Sequence, residues 1–229
     1  MTSLKTVFAA LFVALFLMTT NNSQAQTYKW EFGPEAGVGI RSVSTDPKDS
    51  LTKSSVGFMG GLATQYNISP TVSLKLGVAY ERKGADLEAN ISGTTIKGMI
   101  NTDYVSIPLL LKVHFGTGKK VRFFVNAGPY LGILLANKTK IDAYGTFPET
   151  ETDTKDSTKS TDFGLAGGLG VQFLVGTNMG FTIEARDNFG LTNINDSKET
   201  TITEIKNNTA QLILGFQWKF GKNPVITKH

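Results

Sequence analysis

The chain has 229 residues, 40% of them hydrophobic and 18% charged, with 24 glycines and no cysteine. That suffices for one large domain and excludes disulfides, thiolate metal sites and a cysteine nucleophile. Mean hydropathy near zero excludes a bundle of membrane helices, and a net charge of +4 is too mild for a nucleic-acid binder.

The first segment reads as an address. Lys5 precedes an apolar run from Val7 to Met18, then polar Thr19 to Gln24, with Ser23-Gln24-Ala25 as a small-x-small cleavage site. Residues Met1–Ala25 are therefore expected to be a cleaved secretory signal, since the run is shorter than the roughly 20 residues that span a bilayer. The mature chain then starts at Gln26, outside the cytoplasm.

From there the period is two, not 3.6. Trp30 to Arg41 sets Trp30, Phe32, Ala36, Val38 and Ile40 against Glu31, Gly33, Glu35, Gly37, Gly39 and Arg41. Similar alternation runs through Ser55 to Tyr66, Val72 to Lys83, Val105 to Phe115, Val121 to Ala136, Phe163 to Val175, Phe181 to Phe189 and Thr209 to Phe220. Tight turns at Asn67 to Pro70, Gly116 to Lys120 and Gly176 to Gly180 alternate with long polar links at Ser42 to Ser54, Gly84 to Tyr104, Asn137 to Asp162 and Gly190 to Asn208. The expected fold is all-β: an eight-stranded antiparallel up-and-down barrel over residues 26–220, with a short tail at 221–229 and no second domain. Pro34, Pro108 and Pro129 fall inside strands, where each removes a ladder donor, so bulges or kinks are expected there.

Orientation follows from what each face is made of. One face carries small residues such as Gly57, Gly61, Gly77, Gly128, Gly164 and Gly170, which suit a crowded interior. The apolar face gathers aromatics at the strand ends. Trp30, Tyr66, Phe115, Phe123, Phe173, Phe181, Trp218 and Phe220 lie at the short-turn end, with Tyr80, Phe163 and Phe189 near the other rim. Such girdles mark a barrel with its apolar face toward lipid, with short periplasmic turns and four long extracellular loops. The alternative orientation is a secreted lipocalin-like carrier.

Several phrases resemble a known family. They are Gly57-Phe58-Met59-Gly60-Gly61-Leu62, Tyr80-Glu81-Arg82-Lys83-Gly84, Ile107-Pro108-Leu109-Leu110-Leu111-Lys112, Asn126-Ala127-Gly128-Pro129-Tyr130-Leu131-Gly132 and Asp162-Phe163-Gly164-Leu165-Ala166-Gly167-Gly168. Together with Asn188-Phe189-Gly190-Leu191, they resemble the PorT-like "porin family" of outer-membrane β-barrels across nearly the whole mature chain. The resemblance implies insertion in the cell outer membrane and makes a role in protein secretion an expectation. Gly215-Phe216-Gln217-Trp218-Lys219-Phe220 is similar to the insertion signal of such barrels, although nine residues follow it and Ile213 stands where a polar residue is usual.

The inward face collects Glu31, Glu35, Arg41, Lys75, Glu81, Lys83, Lys112, His114, Arg122, Glu184 and Arg186. Charges in a narrow barrel must be paired or hydrated. The expectation is a structural lumen network of Glu35, Arg41, Lys75, Glu81, Lys112, Arg122, Glu184 and Arg186, centred on Glu184 and Arg186 and plugging the barrel; a narrow passive channel for small solutes is the alternative. No catalytic residue, cofactor or metal site is expected. His114 sits at the wrong end for outer-leaflet chemistry and reads as a hydrogen-bonded lumen residue, while His229 closes the tail. Glu149, Glu151, Asp153, Asp156 and Asp162 miss the spacing of a calcium loop and read as a solvated segment. Partners are expected to be outer-membrane lipid and a protein at the loops, where Tyr144 and Phe147 are the aromatic contact candidates; nucleic acid is not expected, and the barrel is expected to be a monomer.

Overall fold

The structure is a computed structural model that describes residues 28–47, 52–91, 94–115, 120–143, 148–196 and 203–222. The leader at Met1–Ala25 and the contact candidates Tyr144 and Phe147 lie outside the described residues. The described residues form ten strands: β1 (Tyr28–Asp46), β2 (Thr52–Lys53), β3 (Ser55–Asn67), β4 (Val72–Ile91), β5 (Thr94–Phe115), β6 (Val121–Ile141), β7 (Thr150–Asp153), β8 (Thr161–Val175), β9 (Met179–Gly190) and β10 (Glu204–Lys222).

Eight of these close a ring in chain order. Antiparallel pairing runs β1–β3–β4–β5–β6–β8–β9–β10 and returns from β10 to β1, so no wall strand is left with an open edge inside the barrel. The last strand continues past Phe220 to Lys222. β2 and β7 are short additions to the upper parts of β4 and β6.

Alternation sorts the wall as the residue types require. Leu62, Val78, Leu111, Leu165 and Leu212 point outward and are exposed, whereas Glu31, Lys75, Lys112, Glu184 and Gln172 point inward and are buried. Water-soluble strands do the reverse. At the short-turn end aromatics of the girdle pack in pairs across neighbouring strands. Trp30 packs on Tyr66 with centroids 4.8 Å apart, Phe115 on Phe123 at 6.1 Å and Phe173 on Phe181 at 6.4 Å. Toward the other rim Phe58 packs on Tyr80 at 5.8 Å. On β5 the outward apolar run extends from Phe115 to Val105. Ten steps of about 3.3 Å, tilted near 45°, span roughly 25 Å, the height of an outer-membrane apolar band.

The prolines do not bulge the wall. Pro34 pairs with Leu62, Pro108 with Tyr130 and Pro129 with Leu165 in unbroken register. The ladder skips only the pairs toward the neighbour that the missing N–H would have faced, so no extra residue is needed. Pro108 turns its ring into the lumen over Gly77, where a Cβ would meet Cγ at 3.1 Å. The register does shift elsewhere, between Asp103 and Tyr104 against Ala136 and Leu134, which leaves Leu135 as the extra residue.

That shift lies where the wall leaves the lipid belt. The link from Gly84 to Tyr104 is not a loop: β4 and β5 stay paired from Glu81↔Tyr104 to Ile91↔Thr94. With β2, β7 and the end of β6 they form a sheet that projects beyond the barrel. Here the polarity of the two faces is exchanged. Ala85, Leu87, Ile96 and Ile100 continue the lumen side, while Asp86, Glu88, Lys97, Lys138 and Lys140 continue the lipid side. Strand surfaces in water need an apolar inner face and a charged outer one, the opposite of the belt below.

Gly84 sits at the hinge between the two regimes with φ +117°, and a Cβ there would overlap the Ile100 carbonyl. Gly84→Ala should cost about 1–3 kcal/mol through backbone strain and this overlap. The expected outcome is faster limited proteolysis between residues 85 and 103 with the heat-resistant barrel retained. Unchanged cleavage would show that the hinge tolerates a side chain.

Candidate functional site in the barrel lumen

The lumen polar groups come from every wall strand and fall into three layers. In the middle layer Lys75 on β4 lies between two carboxylates, Glu35 of β1 and Glu184 of β9, with 3.0 Å to Glu184. Arg186, two residues along β9, donates Nε–H to Glu184 at 2.6 Å and approaches Glu35 at 3.8 Å. Asn126 Nδ2 donates at 2.9 Å to the same Glu184 oxygen, Oε1, that accepts from Arg186, while Lys75 holds Oε2. Two acids and two bases thus balance, all of them buried.

The layer toward the extracellular end is built on Lys83. Its ammonium donates to Asp162 Oδ2 at 3.0 Å and stands 3.8 Å from Glu81. It also lies over Tyr130 at 4.3 Å and Tyr104 at 5.3 Å from the ring centroids. Glu81 accepts from Gln211 at 2.6 Å and Asn188 at 3.2 Å, and Asn207 donates to Asp162 at 3.1 Å. The layer at the short-turn end joins Arg122, Gln172, Glu31, Asn67, Gln65 and Lys112. Arg122 donates to Gln172 at 2.7 Å, Gln172 to Glu31 at 2.8 Å and Lys112 to Gln65 at 3.1 Å.

All eight expected network residues are therefore in the lumen, but they are not one cluster. Glu35, Lys75, Glu184 and Arg186 meet directly. Glu81 and Arg122 belong to the flanking layers. Arg41 has no carboxylate within 4 Å among the described residues; it donates to the Lys83 carbonyl at 2.7 Å, to Asn101 at 2.9 Å and to Ser55 at 3.0 Å. Lys112 likewise has a neutral acceptor and the Phe124 ring, 3.9 Å from its centroid.

Two expectations need correction. His114 is in the lumen, yet among the described residues neither ring nitrogen has a hydrogen-bond partner. Its charged neighbours Lys112, Arg122 and Lys219 are donors like itself, so they offer it no acceptor. Asp162 is not a solvated loop carboxylate: it is fully buried on β8 and accepts from Lys83. Glu149 and Glu151 are exposed, as a solvated segment should be, and pair with Lys140 at 3.0 Å and Lys138 at 2.6 Å. The Lys138 hydrogen bond holds the Glu151 carboxyl below its ordinary range.

Space is kept small by rings laid over glycines. A Cβ on Gly170 would come within 2.5 Å of Phe124 Cζ, and one on Gly164 within 2.6 Å of Tyr130 Cε1. Both rings come from β6 and lie on the adjacent strand β8, so the glycines admit the aromatic bodies that fill the lumen. A cavity remains among Glu31, Gln65, Lys75, Lys112 and Gln217 with a volume of about 10 Å³, room for roughly one water.

Comparison with known proteins places the fold in context. Neisserial surface protein A is 21% identical, with a TM-score of 0.45 over 82% of this chain and 97% of that one. Ail, the attachment invasion locus protein of Yersinia pestis, is 19% identical with a TM-score of 0.38 over 84% and 99%. Outer membrane protein W of E. coli is 13% identical, with a TM-score of 0.44 over 85% and 99%. A search of curated proteins returns no match. Residues 22–196 match the outer membrane protein beta-barrel domain, and with its lipid-facing belt, closed ring and polar lumen the chain belongs to that family of outer-membrane β-barrels.

Proposed function

We propose that this protein is a closed, monomeric outer-membrane scaffold, PorT-like within its family and exported by a leader cleaved after Ala25, that acts through its extracellular end. Its role is structural, surface-binding or accessory to protein secretion, and it involves no catalytic step, no cofactor and no nucleic acid. Lipid covers the belt, and any protein partner meets the projecting sheet together with Tyr144 and Phe147. The lumen network of Glu35, Arg41, Lys75, Glu81, Lys112, Arg122, Glu184 and Arg186 stiffens the barrel and blocks passage.

The observation that supports this reading is the three-layer filling of the lumen, within which the cavity beside Lys75 and Lys112 has a volume of about 10 Å³. A narrow channel would need a continuous hydrated column, and buried ion pairs held at 2.6–3.0 Å obstruct one. Purified protein in planar bilayers should give no conductance steps above background; steps would overturn the closed-scaffold reading. Replacing residues 85–103 by a two-residue turn should leave heat-dependent gel mobility intact and abolish co-purification of any partner bound by the wild type. A partner retained by that variant would move the binding surface elsewhere.

A further inference from the structure

The short-turn mouth is lined by basic side chains. His114 is the penultimate residue of β5, Arg122 is the second of β6, and Lys219 lies three residues from the end of β10. Lys112, Arg122 and Lys219 all act electrostatically on His114. The carboxylate acting on Arg122 and Lys219 is Glu31. It is already engaged by Gln172 at 2.8 Å and Asn67 at 3.2 Å, and stands 3.9 Å from Arg122. Three basic side chains thus gather at a mouth where Glu31 is the acid shared by Arg122 and Lys219.

Arg122 and Lys112 have neutral acceptors in Gln172 and Gln65, but other donors there have none. His114 and Arg122 are 2% and 3% exposed. Both His114 ring nitrogens and Arg122 Nε are without a hydrogen-bond partner among the described residues. Neither Lys112 nor Lys219 has a carboxylate within 4 Å in that set. A histidine ring always carries at least one N–H and an arginine Nε always carries one, so these are buried donors without an acceptor among the described residues. They come from β5 and β6 and, with Lys219 of β10, lie at the end of the lumen that faces the periplasm in such barrels.

We propose that this mouth is an anion site that takes an oxyanion of the phosphate class. A tetrahedral oxyanion offers several acceptors to donors arriving from β5, β6 and β10, and its negative charge suits a mouth lined by basic side chains. A halide offers one centre and a single charge. Gly180 lies against the site, since a Cβ there would come within 3.3 Å of Gln217 Oε1 and 3.4 Å of Gln172 Nε2 and Lys219 Cε. The proposal is independent of whether the lumen conducts.

The test uses the full-length barrel refolded in detergent, its unfolding midpoint read by heat-dependent gel mobility. Sodium phosphate, sodium sulfate and sodium chloride are compared at matched ionic strength and pH. Phosphate and sulfate should raise the midpoint saturably, by about 3 °C, with chloride giving no saturable rise. Lys219→Gln and His114→Gln should each lose most of that rise. If either variant fails to refold, ³¹P line broadening of inorganic phosphate by the wild type, reversed by sulfate, carries the test. An equal response to all three salts, or a rise that never saturates, would mean general screening and would overturn the site.

Discussion

Glu184→Ala should destabilise the barrel by about 3–5 kcal/mol. The carboxylate is fully buried and bonds Lys75 at 3.0 Å, Arg186 at 2.6 Å and Asn126 at 2.9 Å. Its removal leaves two buried cations sharing Glu35 and one amide donor without an acceptor. The cost is that of an uncompensated charge more than that of a lost bond, which makes a second change diagnostic. Lys75→Met added to Glu184→Ala restores balance, with Arg186 and Glu35 as the surviving pair, and should recover about half the loss. Urea unfolding of refolded protein reads both. A single-variant loss under about 1 kcal/mol would mean that water reaches the middle layer, and the closed-lumen reading would fail with it.

The second large effect is steric. Gly170→Val should prevent formation of the compact, heat-resistant form. Its Cβ would press on Phe124 Cζ and on the Ile183 carbonyl, and the ring has no room to retreat because Lys112 sits on it at 3.9 Å. Overpacking ordinarily costs about 1–3 kcal/mol, and a β-branched side chain against backbone lies at or beyond the upper end. The milder Gly170→Ala permits a coupling measurement. Combined with Phe124→Leu it should lose about 1 kcal/mol less than the two single losses added. Additive losses would show that the ring and the glycine are not a fitted pair.

The belt was legible because lipid demands one thing of every outward residue, so a period of two survives through all eight wall strands. The lumen was half legible. Glu184 and Arg186 share a strand face and their meeting could be read directly, but Lys83 with Asp162 joins residues far apart in the chain, which only closure of the ring brings together. Asp162 could have been found by carrying the inward alternation of Gly164, Ala166, Gly168 and Gly170 one step back. The neutral partners Gln65, Asn67, Gln172 and Asn207, and the rings of Tyr104 and Tyr130, carry no signal of their own outside that face. The projecting hairpin was hidden for a specific reason. Leu74, Leu76 and Val78 are the outward residues of β4 within the belt, whereas Ala85 and Leu87 are its inward ones beyond Gly84, so the apolar phase slips by one and the pattern looks broken. Pro34, Pro108 and Pro129 misled because a missing donor suspends only the bonds to one neighbour and leaves the count of residues unchanged.

The exchange of faces at Gly84 has a consequence for where the molecule can live. Arg82, paired with Asp103 at 2.7 Å, and Lys138 stand immediately above the last greasy positions, Tyr80, Val105 and Leu135. The distance down to Trp218 and Phe220 is therefore a built-in ruler. A bilayer several ångströms thicker would draw ionised groups among acyl chains, and a thinner one would strand bare leucines in water. Membrane thickness itself becomes a sorting criterion, so reconstitution should be most efficient in lipids of one chain length and fall away on both sides.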